Sequence, residues 1–584
     1  MSNAARNQIL SPVGVCVLPQ PNKNGSRSTA YPDYIFEIME AAGVYHTAEK
    51  FEDLETRLPQ LGVLVTIGET AFSETLANAL KSWVENGGAW ISIAGTCGLD
   101  DVLGVSVLPA GYSSFGGGMG TLGEGYLKPI NTTHPVLNHL EIPLHYFNGA
   151  PLQLTSATPL AYGLDAHGRE TTRPVLTEHA YGKGIAVAIA VDITGSIVLI
   201  QQGRGGVTRD GIPSADGTAP VCDNVLKSGD GGSLDWIFDR QPVPGIPDLN
   251  AFLQPIADQW REILLRAIFY TAHRQQVEVP VLWLYPRNQQ AIGHISLDTD
   301  GNDPEHAKIL FDTLEEHNVK ATWCTIMPGL PQPFMLQIQE AGHELAMHYD
   351  AMTDGLNWGA DQFASQWRSL VDLFNGFQPV TNKNHYLRWE GDTDIWDWCV
   401  AHQIQLDQSK GASKTGEGGF NFGTCRPYFP VRFDGEKIDV LELPTYTQDL
   451  EIFIPKAFLH ALLTPVKKHH GVLHLLFHPA HTHKPATNQA LREACDQVRE
   501  AGLEWWTAQQ INQWERARRT AKWADYTVAD GLTTASISNQ NKLSEATLLW
   551  IKEPAAPGTA GARWGFNART ETVTIHEEAV STNS

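Results

Sequence analysis

One stretch narrows the folds open to this chain more than any other. The run A-I-G-H-I-S-L-D-T-D-G (291–301) is mostly apolar, then ends in two carboxylates one residue apart and a glycine. Residues i and i+2 of an extended segment project to one side, so Asp298 and Asp300 can reach one pocket. Asp303 and Pro304 read as a helix start with proline at the first helical position. Ala307, Leu310, Phe311 and Leu314 then recur at the spacing of one helix face. A strand-like A-T-W-C-T-I-M (321–327) follows, then a second helical segment closing at Gly342. The strand E-L-A-M-H-Y-D (344–350) ends at His348 and Asp350. The order strand, helix, strand, helix, strand predicts a parallel α/β barrel, whose active-site face is built from the C-terminal strand ends. Paired acids beside a histidine suit a divalent metal, with a second carboxylate as proton acceptor. The spacing also fits plain turn residues before Gly301, since D-x-D-G is common in turns.

S-L-D-T-D-G, followed about fifty residues later by G-H-E-L-A-M-H-Y-D, resembles the first two motifs of the polysaccharide deacetylase (NodB-homology) family. The resemblance spans roughly 291–510. It implies a distorted (β/α) barrel and a metal-dependent hydrolase that removes N- or O-acetyl groups from a carbohydrate, with zinc the expected ion. On matching positions, Asp298 falls on the family's base, Asp300 and His348 on its metal ligands, and His478, ending L-H-L-L-F-H-P, on its general acid. A histidine suits that duty because its ordinary pKa lies near neutrality. The second motif departs from the family at Met352, where a histidine is usual, and a thioether is a poor zinc ligand. His385 is the candidate third ligand, although a structural histidine fits its position equally well. It sits in H-Y-L-R-W, where Arg388 is expected to orient Asp298. A variant branch resembles this segment together with Asp407, Ser409 and G-T-C-R-P-Y (423–428). Tyr349, Trp389 and Tyr428, within these motifs, are the expected substrate-binding residues. His294 and His343, away from the strand ends, read as structural. Two rival readings are a non-catalytic carbohydrate-binding protein, which the Met352 change favours, and an amide hydrolase for a small metabolite.

At 584 residues the chain has room for three or four domains, and 42% hydrophobic with 18% charged residues is the composition of a cored, globular protein. A net charge of −23 argues against nucleic acid as partner. The start M-S-N-A-A-R-N-Q lacks the pattern of a secretory signal, and no apolar run is long enough to span a membrane. Seven scattered cysteines without C-x-x-C spacing suggest reduced thiols, hence a cytoplasmic protein.

Residues 1–200 alternate strands and helices with glycine turns, predicting a doubly wound, flavodoxin-like accessory domain. It loosely resembles class I glutamine amidotransferase-like domains. G-T-C-G-L (95–99) follows a strand as their nucleophile elbow does, but Leu99 replaces the last glycine, so Cys97 is expected to be structural. Residues 201–247 are a Gly/Asp/Pro-rich excursion, expected to lean towards the barrel mouth. The helix from Leu249 to Ala272 is expected to open the barrel domain (248–518). A small β module (519–576), with Trp550 or Trp564 as a carbohydrate contact or as packing, and a disordered tail (577–584) complete the chain.

Overall fold

The computed structural model describes residues 9–19, 29–108, 122–211, 217, 223–353, 355–529 and 532–584. The centre of the Gly/Asp/Pro-rich excursion, with Cys222, lies outside them. The chain forms two compact units: Met1–Ile197, Gln259–Asn288 and Ala517–Ser584 in one, Val198–Asp258 and Gln289–Arg516 in the other. The helix Ile256–Arg274 therefore belongs mostly to the first unit, and does not open the barrel unit as expected.

The second unit is built on one parallel sheet. Its strands are β1 (Ile292–Asp298), β2 (Thr322–Thr325), β3 (Glu344–Tyr349), β4 (Thr381–Asn384), β5 (Leu406–Asp407), β6 (Leu441–Glu442), β7 (Val472–Phe477) and the short β8 (Glu504–Trp505). Strands β1 to β6 pair in chain order, and β7 returns to the other edge of β1. No pairing joins β6 to β7 among the described residues, so the barrel is open. Every residue of β1 is buried, as expected of a strand covered on both faces. Ile295, Leu297, Trp323, Leu345, Phe363 and Phe477 belong to a large apolar core in this unit. Helix α1 (Pro304–Glu316) starts where the sequence indicates: the Asp303 carboxylate accepts from the N–H groups of Glu305 and His306, and Pro304 holds the first position. Ala307, Leu310, Phe311 and Leu314 are its buried face. The described part of the excursion joins the segment after β4, with Val207 and Gly391 exchanging backbone bonds of 2.8 and 2.9 Å.

The first unit holds a nine-stranded sheet. Its parallel part runs through Ser11–Val17, Leu61–Ile67, Ala89–Ile93 and Gly184–Ile189. The sheet then continues antiparallel through Glu170–Tyr181, Thr158–Asp165, Gly125–Pro129 and Leu144–Tyr146, so it is mixed and not wholly doubly wound. The C-terminal strands are not a separate module. Leu543–Pro554 pairs with Val279–Leu282 inside this unit, and Val580–Asn583, in the expected disordered tail, pairs with Leu532–Ser538. Trp550 and Trp564 are buried, so both pack and neither offers a surface to a sugar. The six described cysteines are buried, and none of them forms a disulfide. No described helix is long and apolar enough to cross a membrane.

Candidate active site

Five polar side chains converge at the C-terminal ends of β1, β3, β4 and β7. Asp298 is the last residue of β1, His348 lies one residue from the end of β3, and His385 and His478 directly follow β4 and β7. Asp300 sits in the turn that Gly301, at φ 75°, closes. Register does much of the placing. Leu297 lies opposite Phe477, so the next residues along these strands, Asp298 and His478, arrive side by side.

Asp300, His348 and His385 offer ligand atoms that all lie within 4.8 Å of one another. Their tautomers follow from their other bonds. His348 Nδ1 donates to the Lys383 carbonyl at 3.0 Å, which leaves Nε2 as a bare acceptor facing Asp300 Oδ1 at 3.3 Å. His385 Nδ1 donates to Asp350 Oδ1 at 3.0 Å, and its Nε2 faces Asp300 Oδ2 at 3.4 Å. Asp300 Oδ1 and His348 Nε2 are buried and take no hydrogen bond from any described group. Acceptors turned on one another in a buried space need a cation, and two imidazoles with one carboxylate are a zinc-type donor set. Asp350 supplies the outer support, orienting His385 as carboxylates orient metal-binding histidines. Without a cation the protons compensate. Burial disfavours the His385 imidazolium, but bonds to Asp300 and Asp350 outweigh it and raise the group to about 9. Burial pushes Asp300 up, yet His348 and His385 carry it well below the carboxylate range.

At Met352 the structure shows a backbone role: its N–H donates to Asp350 Oδ1 at 2.8 Å. Arg388 does not meet Asp298 as expected. It pairs with Glu390 and donates to the Ala351 carbonyl, because Tyr386 and Leu387, both at positive φ, turn the chain away after His385. The cation beside Asp298 is Lys383, in the middle of β4, with Nζ 3.7 Å from Asp298 Oδ1 and donating to Ser296 Oγ at 2.6 Å. Ser296 Oγ meets His474 Nε2 at 2.8 Å, so a buried polar column stands beneath the base. The sequence carried no apolar pattern that would flag Lys383, since T-N-K-N (381–384) is polar throughout yet wholly buried.

On the far side, His478 Nε2 lies 3.7 Å from Asp300 Oδ2 and 4.0 Å from Asp298 Oδ2. Its Nδ1 donates to Asp449 Oδ2 at 2.5 Å, and its backbone N–H donates to Asp449 Oδ1 at 2.7 Å. Burial disfavours the imidazolium, but the Asp449 carboxylate outweighs it and lifts His478 to about 9. Asp449 was not legible in the sequence, lying in a loop with no motif of its own. His481 shares the same carboxylate at 2.9 Å, and His483 stacks on His306 with ring centroids 3.8 Å apart.

Tyr349, Trp389 and Tyr428 are each only 1% exposed, so they are core residues and no substrate can rest on them. The Tyr428 hydroxyl donates to the Gln201 carbonyl, and the Tyr349 hydroxyl to those of Asn357 and Gly359. His294 is enclosed between the Trp506 carbonyl and Gln408, and His343 between the Ala321 N–H and Glu315, both structural.

No family model matches the chain, and no curated protein matches it. Among solved structures it is similar over part of its length to a protein described as a polysaccharide deacetylase from Mycobacterium smegmatis, at 18% identity over 40% of this chain and 93% of that one, with a TM-score of 0.30. It is similar to an allantoinase at 12% identity over 40% and 92%, with a TM-score of 0.31. It is also similar to a CE4 family pseudoenzyme at 14% identity over 39% and 68%, with a TM-score of 0.25.

Proposed function

We propose that this chain is a divalent-metal-dependent hydrolase that cleaves an acyl group from nitrogen, acting on an N-acylated compound. The observation that carries this reading is the convergence of bare acceptors on Asp300 and His348 with His385, between an acid–base pair made by Asp298 and His478. An ion held by Asp300, His348 and His385, zinc by donor type, would polarise the acyl carbonyl and lower the pKa of water. Asp298 accepts the proton from the attacking water, and Lys383 holds the carboxylate in place. His478, charged and braced by Asp449, delivers a proton to the departing nitrogen. Deacetylation of a carbohydrate is the form of this chemistry that the motif resemblance implies, and an N-acetylated oligosaccharide is the first substrate to try.

The test is metal content of the purified protein beside hydrolysis of an N-acetylated oligosaccharide, a chromogenic acetyl ester and a panel of small amides. One equivalent of metal with turnover on any of them supports the reading. A metal-loaded protein that binds acylated sugars and turns over none of the panel is a binding protein, and the reading fails.

A further inference from the structure

We infer that the cleft beside Asp300 and His385 receives the acyl part of the substrate, and that this part is an uncharged aliphatic chain longer than acetyl. The inference rests on the hydrolase reading above. The cleft is open, with a volume of about 610 Å³. That is the size of site that takes a whole small ligand, far more than one methyl group needs. Asp300, Asn302, Asp350, Thr353 and His385 supply its polar lining, and I-M-P-G-L-P (326–331) with Pro304 supplies an apolar wall. Ile326 and Leu330 are buried at 6% and 3% exposure and form an apolar floor, with half-buried Met327 beside them.

Position decides which end of the substrate lies here. Asp300 and His385 line the cleft, but Asp298, Asp449 and His478 do not. The proton donor has to stand next to the leaving nitrogen, so the amine departs on the His478 side. The cleft, lined by Asp300 and His385 and not by His478, is then the space left for the acyl substituent. Composition decides what that substituent is. Among the described residues no Lys or Arg lines the cleft, and Asp350 is a second carboxylate there, so an anionic chain is disfavoured. No Phe, Tyr or Trp lines it either, so it offers no ring for a sugar to stack on.

The wall is fixed to the ligand turn. The Ile326 N–H donates to Thr299 Oγ1 at 3.2 Å, and Asn302 Nδ2 donates to the Ile326 carbonyl at 3.1 Å. Wall and Asp300 thus move as one piece, and chain length is read at a set distance from the reacting carbonyl.

The experiment uses the full chain loaded with zinc and the p-nitroanilides of acetic, butyric and hexanoic acid. Burying one methylene is worth about fourfold, so kcat/KM is expected to rise by about that factor per methylene and about 250-fold over the four methylenes from acetyl to hexanoyl. Met327→Trp, which fills the cleft, should lower the hexanoyl-to-acetyl ratio at least tenfold with zinc content unchanged. Equal kcat/KM across the series, or a ratio that Met327→Trp leaves alone, overturns the inference while the hydrolase reading stands. Should no anilide be cleaved, the oligosaccharide and ester assays above decide the hydrolase reading, and binding of acetamide and hexanamide by calorimetry decides the cleft separately. Hexanamide binding at least tenfold tighter keeps it as an aliphatic pocket, and equal binding removes it.

Discussion

The two units each place polar side chains at the C-terminal ends of a parallel sheet, and they treat them in opposite ways. In the first unit, Glu69 follows Leu61–Ile67, and its carboxylate accepts from the N–H groups of Thr96 and Cys97 at 2.6 and 3.0 Å. Asp192 follows Gly184–Ile189 and accepts from the Ala30 and Gly195 N–H groups and the Thr194 hydroxyl. Each of these carboxylates is closed by the chain's own donors. In the second unit, Asp300 Oδ1, His348 Nε2 and Asp298 Oδ1 are buried with no hydrogen bond. Asp298 Oδ1 has the Lys383 ammonium 3.7 Å away, but leaving a buried acceptor unmade costs about 1–3 kcal/mol, so Asp300 Oδ1 and His348 Nε2 together point to a group that comes from outside the chain. The end of a parallel strand thus carries a structural brace in one unit and a candidate site in the other. The difference lies in satisfaction of the polar groups and not in fold.

The sharpest way to break this contrast is to remove a ligand. Asp300→Asn or His348→Ala should abolish metal binding and all hydrolysis, read by metal analysis beside turnover. His385→Ala should likewise strip the metal, whereas Met352→Ala should retain it. Metal lost in Met352→Ala and kept in His385→Ala would refute the ligand group. Next in size is the base. Asp298→Asn keeps the shape of the side chain but cannot accept a proton, so metal stays bound and the rate falls by about 10²–10⁴-fold. Full activity in this variant would make Asp298 a turn residue.

Lys383 separates positioning from mere packing. Breaking a buried ion pair by removing one partner costs about 3–5 kcal/mol, so Lys383→Met should lower the melting temperature and kcat together. Lys383→Arg keeps the charge and should recover most of kcat with KM unchanged. Recovery of stability without kcat would make Lys383 structural only.

Much of the site was legible because its signals are local. The i, i+2 acids, the Gly301 turn and the strand-ending histidines each sit within a few residues of an apolar run that sets their direction. Three things were not local. Strand β4 is buried while polar, its side chains bonded to Glu344, Asp407 and Ser296 from other strands, so hydropathy could not show Lys383 as interior. Arg388 was expected beside Asp298 from the motif resemblance, but the two residues before it, Tyr386 and Leu387, both take positive φ, which no local pattern announces. The pairing of Leu543–Pro554 with Val279–Leu282 joins segments far apart in sequence, and nothing in either run names the other.

The smallest effect is expected at Cys97, and it tests the other half of the contrast. Cys97 has the positive φ, 56°, of a strained elbow after a strand, which is where a nucleophile would stand. Its surroundings do not activate it. Burial raises the thiol far above its ordinary value, and the Glu69 carboxylate raises it further, so no thiolate is available near neutral pH. The thiol also has polar neighbours in Ser92 and the Thr70 backbone, which a serine hydroxyl can use. Cys97→Ser should therefore leave hydrolysis unchanged and shift stability by less than about 1 kcal/mol, since the hydroxyl finds partners. Thermal melts and turnover on the best acyl substrate measure both. A glutaminase activity present in the natural chain and absent in this variant would show a second reacting centre, and closed hydrogen bonding at a sheet's C-terminal end would no longer mark a structural brace.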